Sequence, residues 1–203
     1  MAKLPQPDVA LRRIVDHYSR YRDIAEEWLP QLGRDVRRRG YFKLEEFMQV
    51  CRWKAPRAAK RFGANNGSAV AAATKKAIRA SGDRTGMEIL LRGLKGVGVP
   101  MASALLAAYD PSRYGVIDVR AWQALCTIGL VQTKRSGRDL SKNDWVKYTD
   151  LLRRQSTVLG EEPRRLDYIL WPFHGCLHPD VIPDQAPTEI PVGQQSMFAW
   201  LLD

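Results

Sequence analysis

Apolar positions recur at three- and four-residue spacing through most of this chain, whereas strict two-residue alternation is scarce. That periodicity puts one apolar stripe on each of a succession of helices. Leu11, Ile14, Val15, Tyr18, Ile24, Ala25, Trp28 and Leu32 suit one or two helices after an Asp8 cap, with Pro30 and Gly33 closing the stretch. A further helix is expected over 44–53, ended by Pro56, and an alanine-rich one over 68–81. Thr85 and Glu88 have capping-box spacing and open a helix carrying Met87, Leu90, Leu91 and Leu94. In the next, over 99–109, Ala102, Leu105, Leu106 and Tyr109 share a face and Pro100 sits in the first turn, where its missing N–H is harmless. Beyond Asp118 a helix carries Trp122, Leu125, Cys126 and Ile128. Ser141 caps a long one holding Trp145, Tyr148, Leu152, Val158 and Leu159 before Gly160. Pro163 begins the last, which runs to Phe173. The expected fold class is all-α.

From Pro179 the pattern changes, with Pro183, Pro187 and Pro191 following at four-residue intervals. Residues 1–178 therefore read as the helical domain and 179–203 as an extended tail. Its Met197, Phe198, Trp200, Leu201 and Leu202 are expected to dock back on the domain, the alternative being a partner. A chain of 203 residues buries roughly 70% of its unfolded surface and needs no disulfide or metal staple. No apolar run approaches the roughly 20 residues of a membrane span, and Pro5, Pro7 and Asp8 leave no signal-peptide core, so a cytoplasmic protein with no membrane partner is expected. Cys51, Cys126 and Cys176 are odd in number and far apart, as reduced thiols are. His174, Cys176 and His178 alternate, but three ligands in a row lack a distant fourth, and no side-chain metal site is expected.

Charge narrows the partners. Thirty-two Lys and Arg against 22 Asp and Glu give a formal net charge of +10, which makes a polyanion the natural ligand. Arg34, Arg37, Arg38 and Arg39 read as a solvated surface turn, or as an outlying DNA contact. Arg52-Trp53-Lys54-Ala55-Pro56-Arg57, with Lys60, Arg61 and Phe62, interleaves bases and aromatics as a nucleic-acid groove does. A core tryptophan with wet neighbours has the same signature.

Between two of the helices stands Leu94-Lys95-Gly96-Val97-Gly98. Two glycines flanking one apolar residue permit positive φ and bring bare N–H groups within reach of an anion. The helix after them points its N-terminus at whatever the turn contacts, and amides plus a helix dipole make a phosphate site. An αα-corner with a glycine C-cap fits the same residues.

This turn with Ala102, followed by Val116-Ile117-Asp118-Val119-Arg120, resembles the helix-hairpin-helix (HhH-GPD) DNA glycosylase superfamily, over 85–129 and more loosely over 68–173. The resemblance implies two interleaved helical lobes, a helix-hairpin-helix motif and a cleft into which a base is flipped out of double-stranded DNA. It implies that Leu94, Lys95, Gly96, Val97 and Gly98 hold the DNA backbone, with Na+ or K+ on hairpin carbonyls and no other cofactor. It also implies a monomer associated with the nucleoid. The family's aspartate maps onto Asp118. Base-pocket candidates are Trp53, Lys54, Trp122 and Trp171, which the pattern alone does not separate from core residues.

Bifunctional members carry a lysine two residues after the second glycine, and here that residue is Pro100, which has no amine. The expected activity is thus a monofunctional DNA glycosylase, in repair or in defence against modified foreign DNA. It would hydrolyse the N-glycosidic bond of a damaged or modified base and leave an abasic site. An ionised Asp118 would stabilise the oxocarbenium-like sugar or orient the attacking water. Two alternatives stand beside this. Asp118 before Val119-Arg120-Ala121-Trp122 is also what an N-cap looks like, contributing about 1 kcal/mol without catalysis. A non-catalytic DNA-binding protein of the same fold would carry the same turn.

Overall fold

The computed structural model describes residues 4–21, 26–177 and 201, and among them every regular element is helical. In chain order these are α1 (Pro7–His17), α2 (Leu29–Arg39), α3 (Leu44–Lys54), a 3-10 turn at Pro56–Ala58, α4 (Ala59–Phe62), α5 (Gly67–Ile78), α6 (Asp83–Gly93), α7 (Val99–Tyr109), α8 (Val119–Thr127), α9 (Lys142–Leu159) and α10 (Pro163–Leu177). The all-α class is as expected. No helix among the described residues is long and apolar enough to cross a membrane. His178 and the Pro-rich stretch to Trp200 lie outside the described residues. Leu201 is buried, and its carbonyl accepts a hydrogen bond from Arg13 Nη1 at 2.9 Å.

α7 is the centre of the molecule. Met101, Ala102, Ser103, Ala104, Leu105, Leu106, Ala107 and Ala108 are all buried, as a helix apolar on every side requires. Its small residues let α2, α3, α6 and α9 pack against it closely. The nearest approach is at Gly33, where a Cβ would lie 2.5 Å from the Ala108 carbonyl oxygen.

That crossing corrects the reading of Pro30 and Gly33 as a helix end. Pro30 stands in the first turn of α2, where no N–H is missed, and Gly33 lies inside the helix because α7 leaves no room for a side chain. The arginines after it are helical too, not a solvated turn. Arg37 donates to the Tyr109 carbonyl of α7, Arg38 to Asp35 and Arg39 to Glu46 of α3. α1 opens at Pro7, which puts Asp8 in the first turn rather than at the cap. α6 opens at Asp83 and not at Thr85, with Gly82 at its cap, and Glu88 forms an ion pair with Lys142 of α9. α10 passes Phe173 and Pro172 to reach Leu177. Ser141 caps α9 as expected, accepting from Asp144 N while Asp144 returns the bond to Ser141 N.

One irregular segment matters most. Tyr114, Val116 and Ile117 are buried between α7 and α8. Ser103 Oγ accepts Ile117 N at 3.1 Å, and Asp167 Oδ2 of α10 accepts Val116 N at 2.9 Å. At Gly115 a Cβ would stand 2.4 Å from Leu152 Cδ1, so α9 presses on the same segment. Residue 118 is thereby held from three helices before α8 begins.

Gly33→Ala is expected to lower unfolding stability by about 1–3 kcal/mol, since the nearest atom to the new methyl is the Ala108 carbonyl oxygen, which cannot swing aside as a side chain can. Chemical denaturation reads this as a lower midpoint at unchanged slope. An unchanged midpoint would mean that α2 and α7 are not seated this closely.

Candidate functional site

Asp118 is the N-cap of α8, its extended backbone (φ −153°, ψ 179°) directing Oδ1 to Ala121 N at 2.9 Å. The other oxygen, Oδ2, accepts from Lys54 Nζ at 2.6 Å and from Trp171 Nε1 at 2.7 Å. Lys54 is the last residue of α3, and Trp171 belongs to α10. Burial pushes the Asp118 carboxyl up, but the Lys54 ammonium, the Ala121 amide and the Trp171 N–H outweigh it and hold the group below the usual carboxylate range. It is an ionised carboxylate, 15% exposed, at the wall of a cavity of about 330 Å³.

The cavity brings together Trp53, Lys54, Asp118 and Trp171 of the expected site. Trp171 is 46% exposed and has the Arg120 guanidinium 4.3 Å from its ring centre. Trp53 meets Trp28 edge to face and also borders a second, larger cavity of about 790 Å³. Trp122 is a correction. It is 1% exposed, its Nε1 donates to the Thr133 carbonyl, and it lines neither cavity, so it is a core residue whose ring fills the α8 packing face.

Sequence reasoning missed the floor of the site. Asp167, 2% exposed, accepts from Tyr148 Oη at 2.8 Å and Val116 N, and pairs with Arg164 at 2.5 Å. Arg164 also pairs with Glu26 at 2.5 Å and lies 5.8 Å from the Trp53 ring centre. Burial pushes the Asp167 carboxyl above its ordinary value against the pull of Arg164, and the Asp118 charge adds to the rise. Two carboxylates on one cavity are thus driven in opposite directions, the pattern that separates acid from base roles. The available signal was one acidic residue inside the apolar run Leu166-Asp167-Tyr168-Ile169-Leu170.

The glycine turn is built differently from the expectation. Gly96 alone takes positive φ, +77°, and a Cβ there would sit 2.9 Å from the Arg61 carbonyl oxygen. Gly98 is extended (φ −98°, ψ 179°), with nothing nearer to an added Cβ than Pro100 Cδ at 4.0 Å. Leu94 and Val97 are buried, so side-chain contact with a ligand falls to exposed Lys95 and backbone contact to Gly96 and Gly98. Buried Asn65 braces the turn, donating Nδ2 to the Lys95 carbonyl and accepting Lys95 N on Oδ1. That bond occupies one of the amides that an anion would use. Arg57, Lys60 and Arg61 are exposed on the 3-10 turn and α4, whose Arg61 backbone abuts Gly96.

The other candidate groups are absorbed by the core. His174 Nε2 is 2.8 Å from Gln123 Oε1, and Cys176 Sγ is 3.2 Å from Tyr18 Oη. Burial pushes the Cys51 thiol to about 12 and Cys126 to about 11, which keeps both protonated. Among the described residues no group of three His, Cys, Asp or Glu is placed to hold a metal.

No protein-family model, curated protein or solved structure matches this chain. The glycosylase resemblance therefore rests on the motif residues alone.

The depressed Asp118 pKa has a consequence for stability. A carboxyl held below its unfolded value of about 4 contributes fully above that pH, and the contribution is lost as pH falls through and below it. Asp118→Asn can still cap α8 but leaves Lys54 without its anion. At neutral pH it is expected to be less stable by about 1–3 kcal/mol. Denaturant unfolding at neutral pH and near pH 3 should show the variant losing less stability on acidification than the wild type. Equal losses would remove Asp118 as a source of acid sensitivity.

Proposed function

We propose that this chain is a DNA N-glycosylase that hydrolyses the bond between C1′ and a damaged or modified base, leaving an abasic site. The observation that carries the reading is the oriented, ionised Asp118 on the wall of a cavity bounded by Trp53 and Trp171. Base loss builds positive charge on the sugar, and a fixed carboxylate in a mostly dry site stabilises that charge without reorganising. Trp53 and Trp171 offer faces for an extruded base, offsetting the few kcal/mol of unstacking. Duplex phosphates would meet Lys95 and the amides of Gly96 and Gly98, which carry no hydrogen bond among the described residues. In this reading Na+ or K+ would use turn carbonyls other than that of Lys95, which accepts Asn65 Nδ2.

A non-catalytic DNA-binding role has its own supporting observation. Both Asp118 oxygens are committed to partners within the fold, as a purely structural cap would have them.

A duplex panel carrying alkylated, deaminated, oxidised and hypermodified bases, treated with alkali after reaction, separates the two. Glycosylase action predicts strand breaks at one base class, falling by roughly 10²–10³-fold in Asp118→Asn. No release from any duplex, with affinity that still falls steeply with salt, would favour the binding protein. Gly98→Asp tests the turn. Aspartate is a favoured N-cap, so α7 should keep or gain stability, while duplex affinity should drop roughly tenfold or more from the carboxylate set against phosphate. Unchanged affinity would exclude the turn as the backbone contact.

A further inference from the structure

The cavity beside Asp118 has a neighbour. Glu26, Trp53, Val116, Arg164 and Tyr168 line both it and the larger cavity of about 790 Å³, so the two adjoin along one wall. In that wall the Arg164 guanidinium lies 5.8 Å from the Trp53 ring centre and 5.4 Å from that of Tyr168. At about 330 Å³ the Asp118 cavity stands at the small end of ligand pockets, which run from roughly 300 to 1,000 Å³. A flat base suits it, and the larger cavity is not needed for one. That larger space has an apolar floor, because the α7 residues beside it are Ala104, Ala107 and Ala108.

Above the floor the lining is charged but balanced. Four arginines and four glutamates share it, a neutral spot in a chain of formal net charge +10. The guanidiniums are engaged within the fold. Arg164 pairs with Glu26 and Asp167, Arg37 donates to the Tyr109 carbonyl, Arg34 to Gln31, and Arg165 to the carbonyls of Tyr18, Ser19 and Tyr21. Among the described residues the side chains of Glu27, Glu161 and Glu162 carry no hydrogen bond or ion pair. With no net charge, neither a phosphate nor a lone cation gains by entering. Open carboxylates beside guanidinium N–H groups call for a neutral ligand that both donates and accepts.

We propose that the larger cavity receives a hydroxyl-rich substituent carried by the target base, so that the substrate class is a hexose-modified pyrimidine and not a small lesion. The proposal rests on the base-excision reading of the Asp118 cavity. With C1′ at Asp118, a group on the remote edge of the base reaches the shared wall and passes Trp53 and Arg164 into the second cavity. Each hydroxyl donates one hydrogen bond and accepts two, so it can serve the open carboxylates and the guanidinium N–H groups together. An anionic substituent would meet Glu27, Glu161 and Glu162, and an amine would meet the four arginines. The bond broken is the one already described. Water adds to C1′, the electron pair of the C1′–N1 bond leaves with the base, and a proton from that water ends on the base. The hexose stays attached to the released base.

The test uses the full chain and duplexes of one sequence, whose target is cytosine, 5-hydroxymethylcytosine, or 5-hydroxymethylcytosine bearing glucose in either linkage on its hydroxymethyl oxygen. Single-turnover base release, read as alkali-labile breaks, is expected to be at least roughly a hundredfold faster from a glucosylated duplex, because a site built for hydroxyls rejects analogues that lack them. Leu29→Trp narrows the larger cavity from α2, and Leu29 does not line the smaller one. Glu161→Ala combined with Glu162→Ala removes two open acceptors. Each variant should slow release of the glucosylated base roughly tenfold or more, with thermal unfolding checking that its fold is intact. Asp118→Asn reports binding without chemistry, and should hold a glucosylated duplex roughly tenfold or more tightly than the cytosine duplex. Equal binding of all the duplexes by Asp118→Asn overturns the proposal, as does release of the glucosylated base that neither cavity variant slows. Release of a small damaged base with no preference for glucose removes this inference and leaves the glycosylase standing. Preferential binding of a glucosylated duplex, with no release from any, supports the ligand of the larger cavity and removes the chemistry.

Discussion

The arrangement around residue 118 depends on keeping one negative charge inside a mostly dry wall. An isolated carboxylate moved out of water loses several kcal/mol of hydration, and only charged or well-aimed donors restore it. Here the donors come from three parts of the chain: the first turn of α8, the end of α3 and the middle of α10. Each must arrive for the others to be worth burying. The aspartate is therefore both the start of a helix and the point at which distant helices are fixed relative to one another.

Behind it lies a second buried carboxyl group, tied into the fold by hydrogen bonds and an ion pair. Asp167 ties α10 to α9 through Tyr148, to α7's neighbouring segment through Val116, and to Glu26 through Arg164. Because Val116 stands two residues before Asp118, the inner carboxylate sets the position of the outer one through backbone, not by touching it. Burial, with the Asp118 charge adding to it, pushes the inner group's pKa up while Lys54 keeps the outer one down. Replacing Asp118 with an apolar residue would leave the Lys54 ammonium without its counter-charge, and replacing Asp167 would leave Arg164 with Glu26 and one fewer anion.

Local patterns were legible in the sequence and remote contacts were not. The apolar faces of α7 and α10, the Ser141 cap and the aspartate after Val116-Ile117 are written within a few residues of where they act. In α2, Pro30 and Gly33 look like punctuation although the helix runs through them. The reason for Gly33 is the Ala108 carbonyl, 75 residues further on, and no local signal records it. Trp53, Lys54 and Trp171 were among the candidates, but what set them apart from Trp122 is burial, a property of the whole fold. Arg164 and Asp167 leave no distinct local signal, because their i,i+3 spacing on α10 is shared by any surface ion pair.

Asn65 gives the glycine turn a property that its own residues do not have. Its amide presents an acceptor and a donor to Lys95, as a neighbouring strand would, and holds the loop in one shape before any ligand arrives. A loop already ordered gives up little conformational entropy on association. Under the proposed function, a polyanion at this turn would then meet charge against a fixed mould, with counterion release, not loop folding, setting the thermodynamic signature.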